Sequence, residues 1–339
     1  MFGSSNRPDS PSLEPLPCLP ASVPLVAASL ASPALPGLPA SPAKPRPRRT
    51  PSASWPSSAT EASARSRIRP GTRLCAIRKA IQCLNSCSPT DQVCNYRCIA
   101  SYESPHLEAF SLCVLQKHNC LELNAEIPSK PSVTPLSMFR EQKLSHEVAE
   151  DLFVGWLDGL EWSWRVVAGQ NPAYDQFPCQ YQLFYRGKAK GSFWYEPIFQ
   201  VRTLEGKLVW RRRKYRVRRA STPGTFYFSV LDNGVVSKEF WTVVDVADDF
   251  SWGLFHYHGA AQAAGQSYTG AVLVTPDGSY PGGDNPRLDS ALEKCGIKKW
   301  ELYMVDNCSC TGAPLGTPVG SRLHYQIAPG KEAGIMQRI

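Results

Sequence analysis

No run of about 18 apolar residues passes without a proline or a charge, so the sequence offers no membrane-spanning helix. There is no G-x-S-x-G and no glycine-rich phosphate loop with a lysine, which removes serine-hydrolase and phosphate-loop readings. Acidic residues are scarce in the first 70 positions, where only Asp9, Glu14 and Glu61 occur. C-x2-C knuckles of the usual zinc modules are missing as well, although the chain holds 12 cysteines. Against these absences stand 339 residues, 42% of them hydrophobic and 10% aromatic with nine tryptophans, enough for a sizeable core and about two domains. With 37 basic against 29 acidic residues the net charge is +8. That allows weak attraction to anionic surfaces but is far from a basic nucleic-acid tail, and no nucleic-acid partner is expected.

The first 70 residues are a different material from the rest. Half of the 30 prolines fall here, among Ser, Ala and the basic residues Lys44, Arg46, Arg48, Arg49, Arg65, Arg67 and Arg69. Such a chain cannot bury enough apolar surface to offset its ordering entropy. A disordered tail or a misplaced start fits it, but richness in Ser and Arg with few acids favours a transit peptide. A secretory signal fits less well, because Pro33 and Pro36 interrupt the apolar stretch Leu25–Leu38. Residues 71–123 are dense in cysteine, and Leu74–Leu84 and Leu107–Leu115 read as short helices. Residues 124–155 read as a linker running into a helix. Within 156–310, short runs of Val, Phe, Tyr, Trp and Thr are divided by turn signals such as Arg186-Gly187, Glu205-Gly206, Pro223-Gly224, Asp232-Asn233-Gly234 and Asp277-Gly278. That rhythm predicts an antiparallel sandwich or barrel. A helix is expected over Arg287–Cys295 with Gly296 as its C-cap, and 311–339 reads as a poorly ordered tail.

Eleven of the 12 cysteines follow residue 70, which points to an oxidising compartment or a metal. The middle block runs Cys83-x3-Cys87-x6-Cys94-x3-Cys98-x14-Cys113-x6-Cys120, with Cys75 in front. Four cysteines can hold zinc, but His106 and His118 repeat no ligand spacing. Disulfides on two facing helices fit better, one bridge nested inside another and a third closing Cys113 to Cys120, because a small coreless segment needs staples. Cys179, with Cys295, Cys308 and Cys310 far downstream, can tie the end of the chain back to the β-region through Cys308 or Cys310. No metal is expected.

These spacings are followed by Trp164-x10-Asp175 and by Asn171-Pro172-Ala173-Tyr174-Asp175-Gln176-Phe177-Pro178-Cys179-Gln180. Together they resemble the violaxanthin de-epoxidase family over roughly residues 75–310, closest to its violaxanthin de-epoxidase-related branch. The resemblance implies a mainly β chain, a lipocalin-like antiparallel barrel preceded by a small disulfide-rich helical domain. It implies the bridges Cys83–Cys98, Cys87–Cys94, Cys113–Cys120, and Cys179 to Cys308 or Cys310. It further implies a chloroplast protein of the thylakoid lumen that removes the epoxide oxygen of a xanthophyll, with ascorbate as reductant, in the xanthophyll cycle. The alternative is the same barrel holding a carotenoid or lipid without turnover.

Opening an epoxide reductively needs an acid for the oxygen, a base and an electron source, and a carboxyl serves as the acid only while protonated. By position Glu239 matches the family's acid and Trp241 a neighbouring tryptophan. Along Val235–Val246 the period of two puts Ser237, Glu239, Trp241, Val243 and Asp245 on one face. An outward, solvated Glu239 is the plain alternative; a tryptophan on the same face argues for the interior. A second acidic position of the family falls at Gly265 or Gln266 and a tyrosine position at Val274, although Tyr268 shares that face. Asp175 orients the barrel entrance or simply forms the turn after Asn-Pro. Trp164, Asp175, Trp241 and Tyr268 are the expected substrate contacts. His256 and His258 flank Tyr257 and read as surface or pH-titrating histidines. In the basic run from Arg211 to Arg219, residues Arg212, Lys214, Arg216 and Arg218 share one side. That side reads as outer barrel wall, with peripheral contact to an anionic membrane as its functional reading at ~1 kcal/mol per basic residue; RNA binding with Trp210 and Tyr215 ranks below both.

Overall fold

Cys83 and Cys87, like Cys94 and Cys98, are four residues apart, so on helices each pair points one way. Helix α1 (Arg73–Ser86) and helix α2 (Gln92–Tyr102) place these pairs face to face, and both expected bridges, Cys83–Cys98 and Cys87–Cys94, are formed with Cα atoms 5.7 Å apart. The computed structural model describes residues 73–88, 91–155, 160–187, 193–319 and 321; the transit-peptide-like segment and most of the tail lie outside them. Asp91 caps α2 by accepting the Cys94 N–H at 3.0 Å. Helix α3 (Pro105–Ser111) starts from a Ser104 cap with proline in its first turn and runs into a π-helical turn, Leu112–Lys117. The expected Cys113–Cys120 bridge is not made. Backbone bonds close this helix end instead, His118 N–H to Cys113 O and Cys120 N–H to Val114 O, and both cysteines remain thiols.

A short hairpin, β1 (Met138–Phe139) and β2 (Gln142–Lys143), precedes helix α4 (His146–Val154). The barrel follows as β3 (Trp164–Gly169), β4 (Tyr181–Arg186), β5 (Phe193–Arg202), β6 (Leu208–Arg212), β7 (Tyr215–Arg219), β8 (Thr225–Asp232), β9 (Val235–Val246), β10 (Gly253–Ala261) and β11 (Gln266–Thr275). Every pairing is antiparallel, and β11 returns to β3 to close the ring. β6 and β7 share one position in it: β6 pairs Ile198–Arg202 of β5, and β7 pairs Phe193–Tyr195. Eight strand positions give an interior wide enough for side chains or one small ligand, and the architecture is the lipocalin-like barrel expected. The β8–β9 turn is Asn233-Gly234 with φ of 48° and 81°, a two-residue hairpin that requires left-handed backbone.

Helix α4 plugs one end of the barrel. Ser145 caps it through the Val148 N–H, and Leu152, Phe153 and Val154 turn inward. The Phe153 ring lies within 6.1 Å of the rings of Phe184, Phe226, Phe228, Trp241 and Phe255, so this half of the interior is solid aromatic core. Helix α5 (Pro286–Lys294), capped by Asn285, lays Leu288, Ala291 and Leu292 on the outer face of the barrel against Val167, Val244, Leu254 and Leu273. Gly296 ends it at φ 69°. Strand β12 (Tyr303–Met304) adds to the outer edge of β3. Cys179 pairs with Cys310 rather than Cys308, because Cys179 N–H is fixed to Asp306 O and Leu315 and Ala313 pack over the same apolar patch; Cys308 is disulfide-bonded but not to Cys179.

Candidate functional site

Helices α1 to α3 cover the mouth opposite the plug and leave a cavity of ≈190 Å³ beneath them. Tyr96, Leu107 and Leu115 of the helices face it from one side and barrel residues from the other. The cover is fixed by polar contacts at its edges. Gln116 accepts the Val236 N–H at 2.8 Å, Gln92 donates to Ser267 O at 2.7 Å, and Arg213 joins Glu103 and Asp232. The β8–β9 hairpin tip slides under α3, where a Cβ on Gly234 would stand 2.2 Å from the Glu108 carbonyl oxygen.

Glu239 is 7% exposed and faces this cavity. Trp241, two residues on and therefore on the same strand face, donates its Nε1–H to Oε2 at 2.6 Å; the Tyr268 hydroxyl donates to Oε1 at 2.8 Å. Burial pushes the Glu239 pKa up, and hydrogen bonds from Trp241, Tyr268 and Tyr215 offset only part of the rise. Trp241 is itself stacked between Phe228 and Tyr257, with centroids 4.9 and 5.1 Å away.

Asp175 brings a second carboxyl to the same cavity, from the loop after β3. Its Oδ2 accepts the Asn171 N–H at 2.7 Å, and its Oδ1 accepts the Tyr257 hydroxyl at 2.6 Å. Burial raises its pKa to about 7; Tyr257 and the Asn171 and Gln170 amides pull it down, and the Glu239 charge adds to the rise. The empty acidic position at Gly265 or Gln266 therefore does not leave the cavity with one acid. Tyr257 and Tyr268 are held far above the usual phenol range by burial and stay protonated donors. Two glycines make room for them: a Cβ on Gly259 would meet the Tyr268 ring at 2.1 Å, and one on Gly270 the Tyr257 hydroxyl at 2.4 Å. Sequence reasoning passes over Tyr257 in favour of its flanking histidines. The signal that finds it is the period of two, since Tyr257 must face in if they face out. A carboxyl whose pKa burial raises and a second one titrating near neutrality, in one buried site, form a set suited to moving protons.

Other expected residues lie elsewhere. Trp164 is fully buried but outside the cavity lining: its Nε1–H bonds Leu152 O at 3.1 Å, so it belongs to the plug. Asp245 does not share the face of Glu239. A β-bulge opposite Leu254 and Phe255 breaks the alternation, and Asp245 turns outward to pair with Arg287 at 2.8 Å. His256 is not a surface group: burial and the neighbouring His258 lower its pKa to about 4. His258 is held between Ser132 and Thr269. The three cysteine sulfurs of Cys87, Cys94 and Cys98 that crowd together belong to two adjacent disulfides. Of the four basic residues expected on an outer face, Arg212 is engaged by Glu196 and by the Pro314 and Gly316 carbonyls, and Lys214 lies over the Trp194 ring at 4.6 Å. Arg216 and Arg218 are exposed.

The sequence model of one family, described as the VDE lipocalin domain, matches residues 72–307. The chloroplastic violaxanthin de-epoxidase of Nicotiana tabacum is 22% identical over 268 residues, which cover 76% of this chain and 51% of that protein. That of Spinacia oleracea is 23% identical over 268 residues with the same coverage. The chain thus spans about half the length of these relatives. Among solved structures, lobster apocrustacyanin A1 aligns with a TM-score of 0.31 at 12% identity, covering 44% of this chain and 78% of that one.

Proposed function

The chain belongs to the VDE lipocalin domain family, and from that premise we propose that it removes the epoxide oxygen of a xanthophyll reductively, with ascorbate as electron donor. The observation that carries the reading is Glu239, a carboxyl whose pKa burial raises inside a cavity and which is held by three hydroxyl or indole donors. In the reaction both C–O bonds of the epoxide break and a C=C bond forms. Ascorbate supplies two electrons and two protons, leaving as dehydroascorbate, and the oxygen leaves as water. Glu239 donates its proton to the epoxide oxygen as the first C–O bond breaks. Trp241 and Tyr268 then hold the carboxylate until it is reprotonated. Asp175, through Tyr257, is the second proton-handling group and stays neutral below about 7.

Size limits what enters. Ordinary ligand pockets run to ~300–1,000 Å³, and ≈190 Å³ fits one end ring of a xanthophyll while the polyene remains outside. The proposed location is the chloroplast, in the thylakoid lumen, an oxidising setting in which the disulfides persist. The test is incubation of the oxidised chain with violaxanthin and ascorbate from mildly acidic to neutral pH, followed by chromatography of the pigments. De-epoxidised product at acidic pH that falls off as pH rises is expected. Saturable binding with no product at any pH would leave a carotenoid-binding barrel and overturn the proposal.

A further inference from the structure

Among the described residues six tyrosines line the cavity, and four of their hydroxyls are engaged within the protein. Tyr257 donates to Asp175, Tyr268 and Tyr215 bond Glu239, and Tyr195 pairs with Gln182. Tyr96 and Tyr174 differ: among the described residues neither hydroxyl has a hydrogen-bond partner. Two charges beside Tyr96, Arg213 and Asp232, are already paired with each other, and Arg213 also with Glu103. Cys94 and Cys98 on α2 turn to the bridges with α1. At 3.6 residues per turn Tyr96, two residues from each, stands on the opposite side of the helix, toward the barrel. Its ring meets Tyr174 edge-on with centroids 5.3 Å apart, and Phe177 at 5.2 Å. Tyr174 in turn packs at 5.1 Å on Tyr268, the ring whose hydroxyl holds Glu239. The unpaired phenols and the acid thus belong to one continuous aromatic wall.

We propose that Tyr96 and Tyr174 are a ligand-orienting pair, donating hydrogen bonds to an oxygen that the end ring carries on the side away from its epoxide. This role rests on the function proposed above, in that an end ring must enter the cavity. A polar group left unpaired inside a fold is costly, and native structures keep few of them. Here the missing partner is one that a ligand can supply. Burial holds both phenols well above their usual range, so each keeps a proton to donate. With the far oxygen gripped by Tyr96 and Tyr174, the epoxide edge is turned toward Glu239. An otherwise identical ring without that oxygen leaves both phenols unpaired, and a site built for a hydroxyl rejects the analogue that lacks it. Through Tyr96 the disulfide-stapled cap is part of the binding site as well as its cover.

The test compares violaxanthin with β-carotene diepoxide, which has the same epoxide rings without their hydroxyls. Both are titrated into the oxidised full chain without ascorbate, and tryptophan quenching reads the binding. Wild type should bind violaxanthin about tenfold or more tighter than the diepoxide. Tyr96→Phe and Tyr174→Phe should each weaken violaxanthin binding about fivefold and leave the diepoxide unchanged, and the double variant should bind both pigments alike. Phenylalanine keeps the ring contacts, and no hydrogen bond inside the protein is lost, so neither variant should melt below wild type in a thermal scan. Equal affinity of wild type for the two pigments would overturn the proposal. So would variants that melt lower or lose both pigments equally, or saturable binding of neither pigment. Binding with this selectivity that never leads to product would refute the de-epoxidase reading alone and leave the pair in place.

Discussion

Replacing Asp175 by Asn should stabilise the protein, and only above acidic pH. In the folded chain the Asp175 carboxyl holds its proton up to about 7, against an ordinary value of 3.8. At 1.36 kcal/mol for each tenfold change in protonation, ionising it inside the fold costs about 4 kcal/mol more than in the open chain. Between those two pH values the folded state binds more protons than the unfolded one, so wild-type stability falls as pH rises, and the whole loss is present above about 7. Asn does not titrate. Its Oδ1 can keep the Asn171 N–H, and its amide can donate to the Tyr257 oxygen once that phenol turns its own proton away. The advantage of Asp175→Asn should thus be near zero at pH 4 and grow to at most about 4 kcal/mol at pH 8. With ~3 kcal/mol per molar urea, that is a midpoint shift of ~1 M. His256, whose pKa is depressed to about 4, takes stability away in the opposite sense as pH falls from 6.5, but it is common to both proteins and cancels. Urea unfolding at pH 4, 6 and 8, followed by tryptophan fluorescence with disulfides intact, measures the difference. A constant difference across pH, or a variant less stable at pH 8, would refute the reasoning.

Glu239→Gln should lower turnover by about 10²–10⁴-fold, about 3–5 kcal/mol of barrier, while xanthophyll binding persists; turnover that survives points to a different acid. Phe153→Ala should cost about 3–5 kcal/mol in denaturant unfolding, because five aromatic rings lose their common contact; a loss under about 1 kcal/mol would mean that the plug repacks freely. Replacing Cys179 and Cys310 together by Ser opens a bridge between residues 131 apart in sequence and should cost about 2–5 kcal/mol, whereas an unchanged melting temperature would show that the bridge holds nothing.

Local periodicity made part of this molecule legible in advance. Two i, i+4 cysteine pairs define the nested bridges of α1 and α2, because helical spacing alone aims both sulfurs at the facing helix. Period two places Glu239 and Trp241 on one side of β9, and the Asn233-Gly234 and Pro223-Gly224 signals mark true strand ends. These follow from chain geometry over a few residues, which sequence states directly. What lay out of reach depended on closure of the ring and on where distant segments came to rest. A single bulge moved Asp245 to the outer wall, since one extra residue flips every side chain beyond it. Trp164 went to the plug because α4 occupies that end of the barrel. Arg212 was drawn to Glu196 and the carbonyls of Pro314 and Gly316, more than a hundred residues on in the latter two cases. Asp175 meets Tyr257 and shares a cavity with Glu239 only because β11 closes on β3 and glycines at 259 and 270 clear the space between. The period of a strand is written in its own residues; the company a carboxyl keeps, and hence its charge, is set by whichever strands close around it.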